Sequence, residues 1–196
     1  MGKQHTFNTP IPQRWAFLRC FVACTLTFAS VLFFNGTAGP QTAAAFDIAQ
    51  IKMARDMSCM AGIAAFIIFM FVARYRPQAI RPVTLSVSAA VLGLIGHALS
   101  IASGALDVQA LLVLGSCATS VATTWTTVLL LLACSSLSLQ RVCVCLAGGA
   151  AVAMPLAHIV GEMGSNAFVS SVDAVASIAV IAMVLPVAMP FFSRLA

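Results

Sequence analysis

The chain has 196 residues, 61% of them hydrophobic and only 8% charged, with a formal net charge of +5 and a mean hydropathy of +1.04. Soluble domains carry about 25% charged residues, so this composition excludes a water-facing surface wrapped around a buried core. It fits a chain dissolved in lipid, where outward positions are apolar, and no polar stretch is long enough to form a soluble domain.

A bilayer core about 30 Å thick is crossed by about 20 helical residues. Taken in chain order, the apolar windows are 15–34, 57–75, 83–103, 108–134, 142–161 and 167–192. The first contains FVACTLTFASVLFF and the second MSCMAGIAAFIIFMFVA. Transmembrane β-strands would instead alternate in polarity over about 10 residues, and no such pattern is present. The expectation is an all-α polytopic bundle with six spans, forming one membrane domain over residues 1–196. Asn35-Gly36, Arg76-Pro77, Arg81-Pro82, Gly104 and Gly161 to Gly164 fall between windows, as chain-breaking residues should. Pro155 and Pro186 lie inside spans, where a kink is expected. AAFDIAQIKMARD, before the second window, reads either as a short amphipathic helix or as an outer extension of that span.

Charge orients the spans. Connections on one side receive Lys3, Arg14, Arg19, Arg74, Arg76, Arg81, Arg141 and Arg194, and those on the other receive Lys52 and Arg55. The positive-inside rule then places both termini in the cytoplasm of a cell with an inner membrane. Asp47, Asp56, Asp107, Glu162 and Asp173 all fall toward the less basic side, which agrees with that partition. The positive charge is thus topological, and no nucleic-acid partner is expected. A rival topology treats the first window and TAGPQTAAA as a signal peptide cut near Ala45, leaving five spans. The apolar run is longer than the ~7–15 residues of such segments, so a retained first span is expected.

The fourth window carries GSCATSVATTWTTV, a dense set of hydroxyls where water should be absent. On a helix, Gly115, Thr119, Ala122 and Thr126 form one row, and Ser116, Ser120, Thr123 and Thr127 an adjacent one. The opposite stripe is Leu114, Ala118, Val121, Trp125, Val128 and Leu132. Small residues and interhelical hydrogen bonds drive helix association in lipid. The hydroxyl face therefore reads either as a packing surface at the bundle centre or as the lining of a polar cavity. Ala89, Gly93, Gly96 and Ser100 in the third span form a similar face, as do the pairs Ala147–Ala151 and Ala157–Gly161 in the fifth.

Ionisable groups inside spans are costly and point to function. His97, His158 and Asp173 qualify, all toward the outer ends of their spans, with Glu162 just outside. Together they suggest an outward-facing ligand or proton site, although residues so near the interface also reach water unaided.

Enzyme signatures are absent. The chain has no H-E-x-x-H, no G-x-x-x-x-G-K-[ST] and no G-x-G-x-x-G, so no catalytic residue, metal site or cofactor is expected. The seven cysteines include no C-x-x-C and read as small apolar packing residues, with Cys134, Cys143 and Cys145 near the cytoplasmic side. MGKQHT and Asn35-Gly-Thr match short myristoylation and glycosylation patterns.

Six spans with both ends on one side divide into two sets of three in opposite orientation. The chain resembles the first half of a major-facilitator fold. The loop VARYRPQAIRP has that family's arginines but neither its glycine nor its aspartate. The windows LGSCATSVATTWTTVLLLLAC and RVCVCLAGGAAVAMPLAHIVG resemble the facilitator-like membrane regions that precede LuxR-type helix-turn-helix regulators in some bacteria. That resemblance implies a sensory or signalling membrane module, present here as a half-length member or fragment that acts through a homodimer or a C-terminal half. Small-molecule transport of the major-facilitator type is the second expectation, and a structural subunit bound to another membrane protein the third. Beyond the lipid bilayer, no ligand or partner is specified.

Overall fold

The structure, a computed structural model, describes residues 11–32, 46–76, 80–163 and 166–192. Six helices account for nearly all of them: α1 (Gln13–Leu32), α2 (Ile48–Tyr75), α3 (Pro82–Leu106), α4 (Gln109–Cys134), α5 (Leu139–Met163) and α6 (Asn166–Phe192). Each is long and apolar enough to cross a bilayer, and the chain is an all-α multi-spanning membrane protein. The MGKQHT start, the Asn35 sequon, the proposed cut near Ala45 and the terminal residues Lys3 and Arg194 lie outside the described residues.

Local chemistry sets the helix ends. Asp47 caps α2: its side chain accepts from the Gln50 N–H at 2.7 Å, while the Gln50 side chain accepts from the Asp47 N–H at 3.0 Å. The stretch before the second window is therefore continuous with that span, and α2 runs unbroken from Ile48. Pro82 opens α3, where a missing N–H does no harm. Asp107 closes α3 in a left-handed conformation (φ 56°), and α4 follows after Val108. Both α5 and α6 continue through their prolines, Pro155 and Pro186.

Short connections make α2 to α6 successively antiparallel, so the bundle has two chemically distinct ends. At one, Arg141 Nη1 at the start of α5 donates to Gln13 Oε1 at the start of α1, at 2.8 Å. At the other, Gln50 of α2 meets Gln109 of α4, and Gln109 also reaches Met53. Arg14, Arg74, Arg76, Arg81 and Arg141 thus belong to the first end, and Asp47, Lys52, Asp56 and Asp107 to the second.

α4 is the central helix, packing on α2, α3 and α6 and touching α1; α5 packs chiefly on α1. The closest approach joins α3 and α4 through glycines. A Cβ on Gly96 would stand 2.9 Å from the Gly115 carbonyl oxygen, and one on Gly115 would stand 2.9 Å from that of Gly96. In lipid, such contacts replace the hydrophobic effect as the source of helix association. The largest apolar core fills the basic end, where Cys20 and Cys24 of α1 meet Leu129 and Cys134 of α4, Cys145 of α5 and Val184 of α6. The outward side of α2, including Ile67, Ile68 and Phe71, is exposed and suits lipid.

Two packing expectations are corrected. Ala147 and Ala151 of α5 are exposed. The buried row is Cys145, Gly149, Ala153 and Ala157, because α5 turns Gly149 toward the α1 backbone at Thr25. Val128, assigned to the outer stripe of α4, is buried and lines a cleft, because α4 sits at the bundle centre with neighbours on several sides.

Candidate functional site

The hydroxyl face of α4 divides into two parts. Gly115, Ser116, Thr119 and Thr126 are buried against neighbouring helices, whereas Ser120, Thr123 and Thr127 are half-buried. Three of the seven hydroxyls between Ser116 and Thr127 satisfy themselves locally. Thr123, Thr124 and Thr126 donate to the carbonyls of Thr119, Ser120 and Ala122, each at 2.9 Å. That back-bonding supplies each hydroxyl proton with an acceptor inside its own helix. Lipid therefore does not penalise them.

Among the hydroxyls of α4 without such a bond, Thr119 stands apart. Its Oγ1 is buried and has no hydrogen-bond partner. Two further buried polar atoms share that property, His97 Nε2 and Asp173 Oδ1. His97 belongs to α3 and Asp173 to α6, and His97 Nε2 lies 3.5 Å from Asp173 Oδ2. The contact lies at the edge of hydrogen-bonding reach and is ionic only when the imidazole is protonated, and His97 Nε2 has no well-formed bond. Both residues are buried, Asp173 at 4% exposure. Ser30 of α1 stands beside the same carboxylate.

Two cavities meet at this pair. A small one of about 20 Å³ is lined by His97, Thr119, Thr123, Ser30 and Gly93 among others, and its volume matches roughly one water molecule. A cleft of about 460 Å³ runs between α2 and α4, lined by Thr119, Ser120, Thr123, Thr124 and Thr127 of α4, Gly62 and Phe66 of α2, and Asp173. Ser30, Thr119 and Thr123 border both. The pair thus stands where the cleft ends and the small chamber begins. Its position also explains the asymmetry of the bundle: apolar packing closes the basic end, and the polar groups gather toward the other.

Of the residues singled out by sequence, the structure brings His97 and Asp173 together. His158 lies on the exposed side of α5, away from the pair. Glu162 belongs to α5, but its side chain lies outside the described residues. Gly115 and Ser116 pack against other helices and line neither cavity, whereas Thr126 borders only the small one.

Sequence reasoning passed over Arg55, Ser58, Cys59 and Gly62 of α2, which form the opposite wall of the cleft. The signal that would have found them is the row of small residues Ala54, Ser58, Gly62 and Ala65 on one face of α2, where an added Cβ on Gly62 would stand 2.6 Å from the Ser120 hydroxyl. The convergence of Cys20, Cys24, Cys134 and Cys145 in one core was equally hidden, since they come from three helices. No three His, Cys, Asp or Glu side chains are arranged to hold a metal among the described residues.

No family model matches the chain, and no curated protein or solved structure is similar to it. Its chemistry rests on its own geometry.

Proposed function

We propose that this protein is a ligand-binding membrane module of the sensory or signalling type, lodged in a cell inner membrane with both termini cytoplasmic. The observation that carries the reading is the cleft of about 460 Å³, within the ~300–1,000 Å³ of small-molecule sites, with a buried ionisable pair at its end. Closure of the opposite end by the apolar core supports binding without passage. The eight-to-two division of basic residues supports the orientation.

The helix neighbours support a facilitator-like plan of two three-helix units. Exchanging α1–α3 with α4–α6 maps the α1–α5 contact onto α4–α2, and the α1–α6 contact onto α4–α3, whereas the α4–α6 contact has no comparable counterpart between α1 and α3. Three helices per unit, an odd number, give the two units opposite orientations in the membrane.

Transport is the second reading, favoured by the His97–Asp173 pair, since titratable groups inside a bundle mark ion and proton pathways. The test combines two measurements on the full chain: equilibrium binding of a solute panel in nanodiscs, and uptake of the same solutes into proteoliposomes with and without a proton gradient. Saturable binding without accumulation is expected. Accumulation would transfer the assignment to transport, and absence of binding would overturn both readings.

A further inference from the structure

Three hydroxyls on the cleft act only as acceptors. Thr123 and Thr124 have committed their protons to α4 carbonyls, and Ser58 has committed its own to the Arg55 carbonyl at 2.8 Å. A hydroxyl that donates backward offers a ligand only its lone pairs. Asp173 lines the same cleft, with Oδ1 unpartnered. Its other oxygen faces His97. An occupant that satisfies Asp173 Oδ1 and these three hydroxyls must donate hydrogen bonds, and at the carboxylate it gains most by carrying positive charge.

The remaining wall is apolar, with Ile63, Phe66 and Leu131 beside those oxygens. A bare metal ion needs several oxygen or nitrogen ligands converging on one point, whereas a single carboxylate with apolar walls suits an organic cation. Among the described residues that line the cleft, the basic group is Arg55, which is exposed, while Asp173 is buried.

We infer that the cleft takes a small amphipathic amine, with its ammonium on Asp173 and its apolar part between Ile63, Phe66 and Leu131. The inference rests on the ligand-binding reading above and adds the chemical class of the ligand. The ammonium donates to Asp173 Oδ1 and points its other N–H groups at the lone pairs of Thr123 and Thr124. The apolar part displaces lipid or water from the α2–α4 wall.

Cys59 gives a readout that does not depend on charge, because it is exposed and lines the cleft. In nanodiscs holding the full chain, alkylation of Cys59 by N-ethylmaleimide is followed by peptide mass spectrometry. The competitors are 2-phenylethylammonium, neutral 2-phenylethanol and anionic 3-phenylpropionate. The amine is expected to protect Cys59 at a concentration at least tenfold below that of the alcohol, with the anion weakest. In Asp173→Asn that advantage should vanish while protection by the alcohol persists. Equal protection by all three in the unsubstituted protein would overturn the amine assignment and leave the ligand-binding reading standing. Protection by none would overturn both. The comparison among probes needs no variant, so it stands even if Asp173→Asn fails to fold.

Discussion

Gly96 of α3 and Gly115 of α4 face each other so closely that a Cβ on either would stand 2.9 Å from the other's carbonyl oxygen. The obstacle is backbone, which cannot rotate aside, so substitution must push the helices apart. Gly96→Ala and Gly115→Ala are each expected to cost about 1–3 kcal/mol, read as a lower thermal midpoint in detergent. Gly104→Ala is the matched control: nothing lies within 4 Å of its added Cβ, and it should change little.

Asp173 and His97 are expected to behave as a unit in stability. Removing one partner leaves the other buried without it, which costs about 1–3 kcal/mol. Asp173→Leu and His97→Leu should therefore each destabilise the bundle strongly, and the double substitution should cost less than the sum. A double-mutant cycle in chemical denaturation measures the coupling. Strict additivity would show that the 3.5 Å contact contributes nothing.

Thr126 and Thr123 look alike in sequence and should respond differently. Thr126 is buried and back-bonded to Ala122, so Thr126→Val, which keeps its shape, is expected to alter stability by less than about 1 kcal/mol. Thr123 borders both cavities. Thr123→Val should leave stability similar and weaken occupancy of the cleft several-fold in the Cys59 protection assay.

Thiol accessibility should follow burial. Cys20, Cys24, Cys134 and Cys145 are buried, and Cys59 and Cys143 are exposed. Brief alkylation of the folded protein should modify the second group and spare the first, with all six reacting after denaturation. Early modification of Cys20 or Cys24 would show that α1 does not pack as described.

α1 contributes Cys20, Ala23 and Cys24 to the largest core. Deleting residues 1–45 should consequently remove most of the folded protein recovered from membranes, as judged by size-exclusion chromatography. Recovery of a well-folded five-helix remainder would mean that the first span is dispensable. Reporter fusions at Arg76 and at Glu162 should map to opposite faces of the bilayer, with Arg76 cytoplasmic.

Several features were legible without coordinates because they depend on composition and local periodicity. Apolar windows about 20 residues long dictate spans wherever lipid is the solvent. The placement of arginines separates the two ends, and the spacing of Gly115, Thr119 and Thr126 predicted a buried face on α4. For Thr123 and Thr126 the local question was also legible, since a hydroxyl donor needs only the carbonyl one turn back.

What the tertiary structure decided were relationships between helices, which no periodicity encodes. His97 meets Asp173 while His158 turns outward, although all three lie at similar depth toward the outer ends of their spans. Gly149, rather than Ala147 or Ala151, faces α1. A window of sequence gives one helix its faces, but which face meets which neighbour depends on the rotation of each helix about its axis, and packing sets that rotation across the whole bundle. The cleft owes its existence to that packing: α2 supplies Gly62, α4 its threonines and α6 its carboxylate, and only their assembly turns separate polar residues into a cavity.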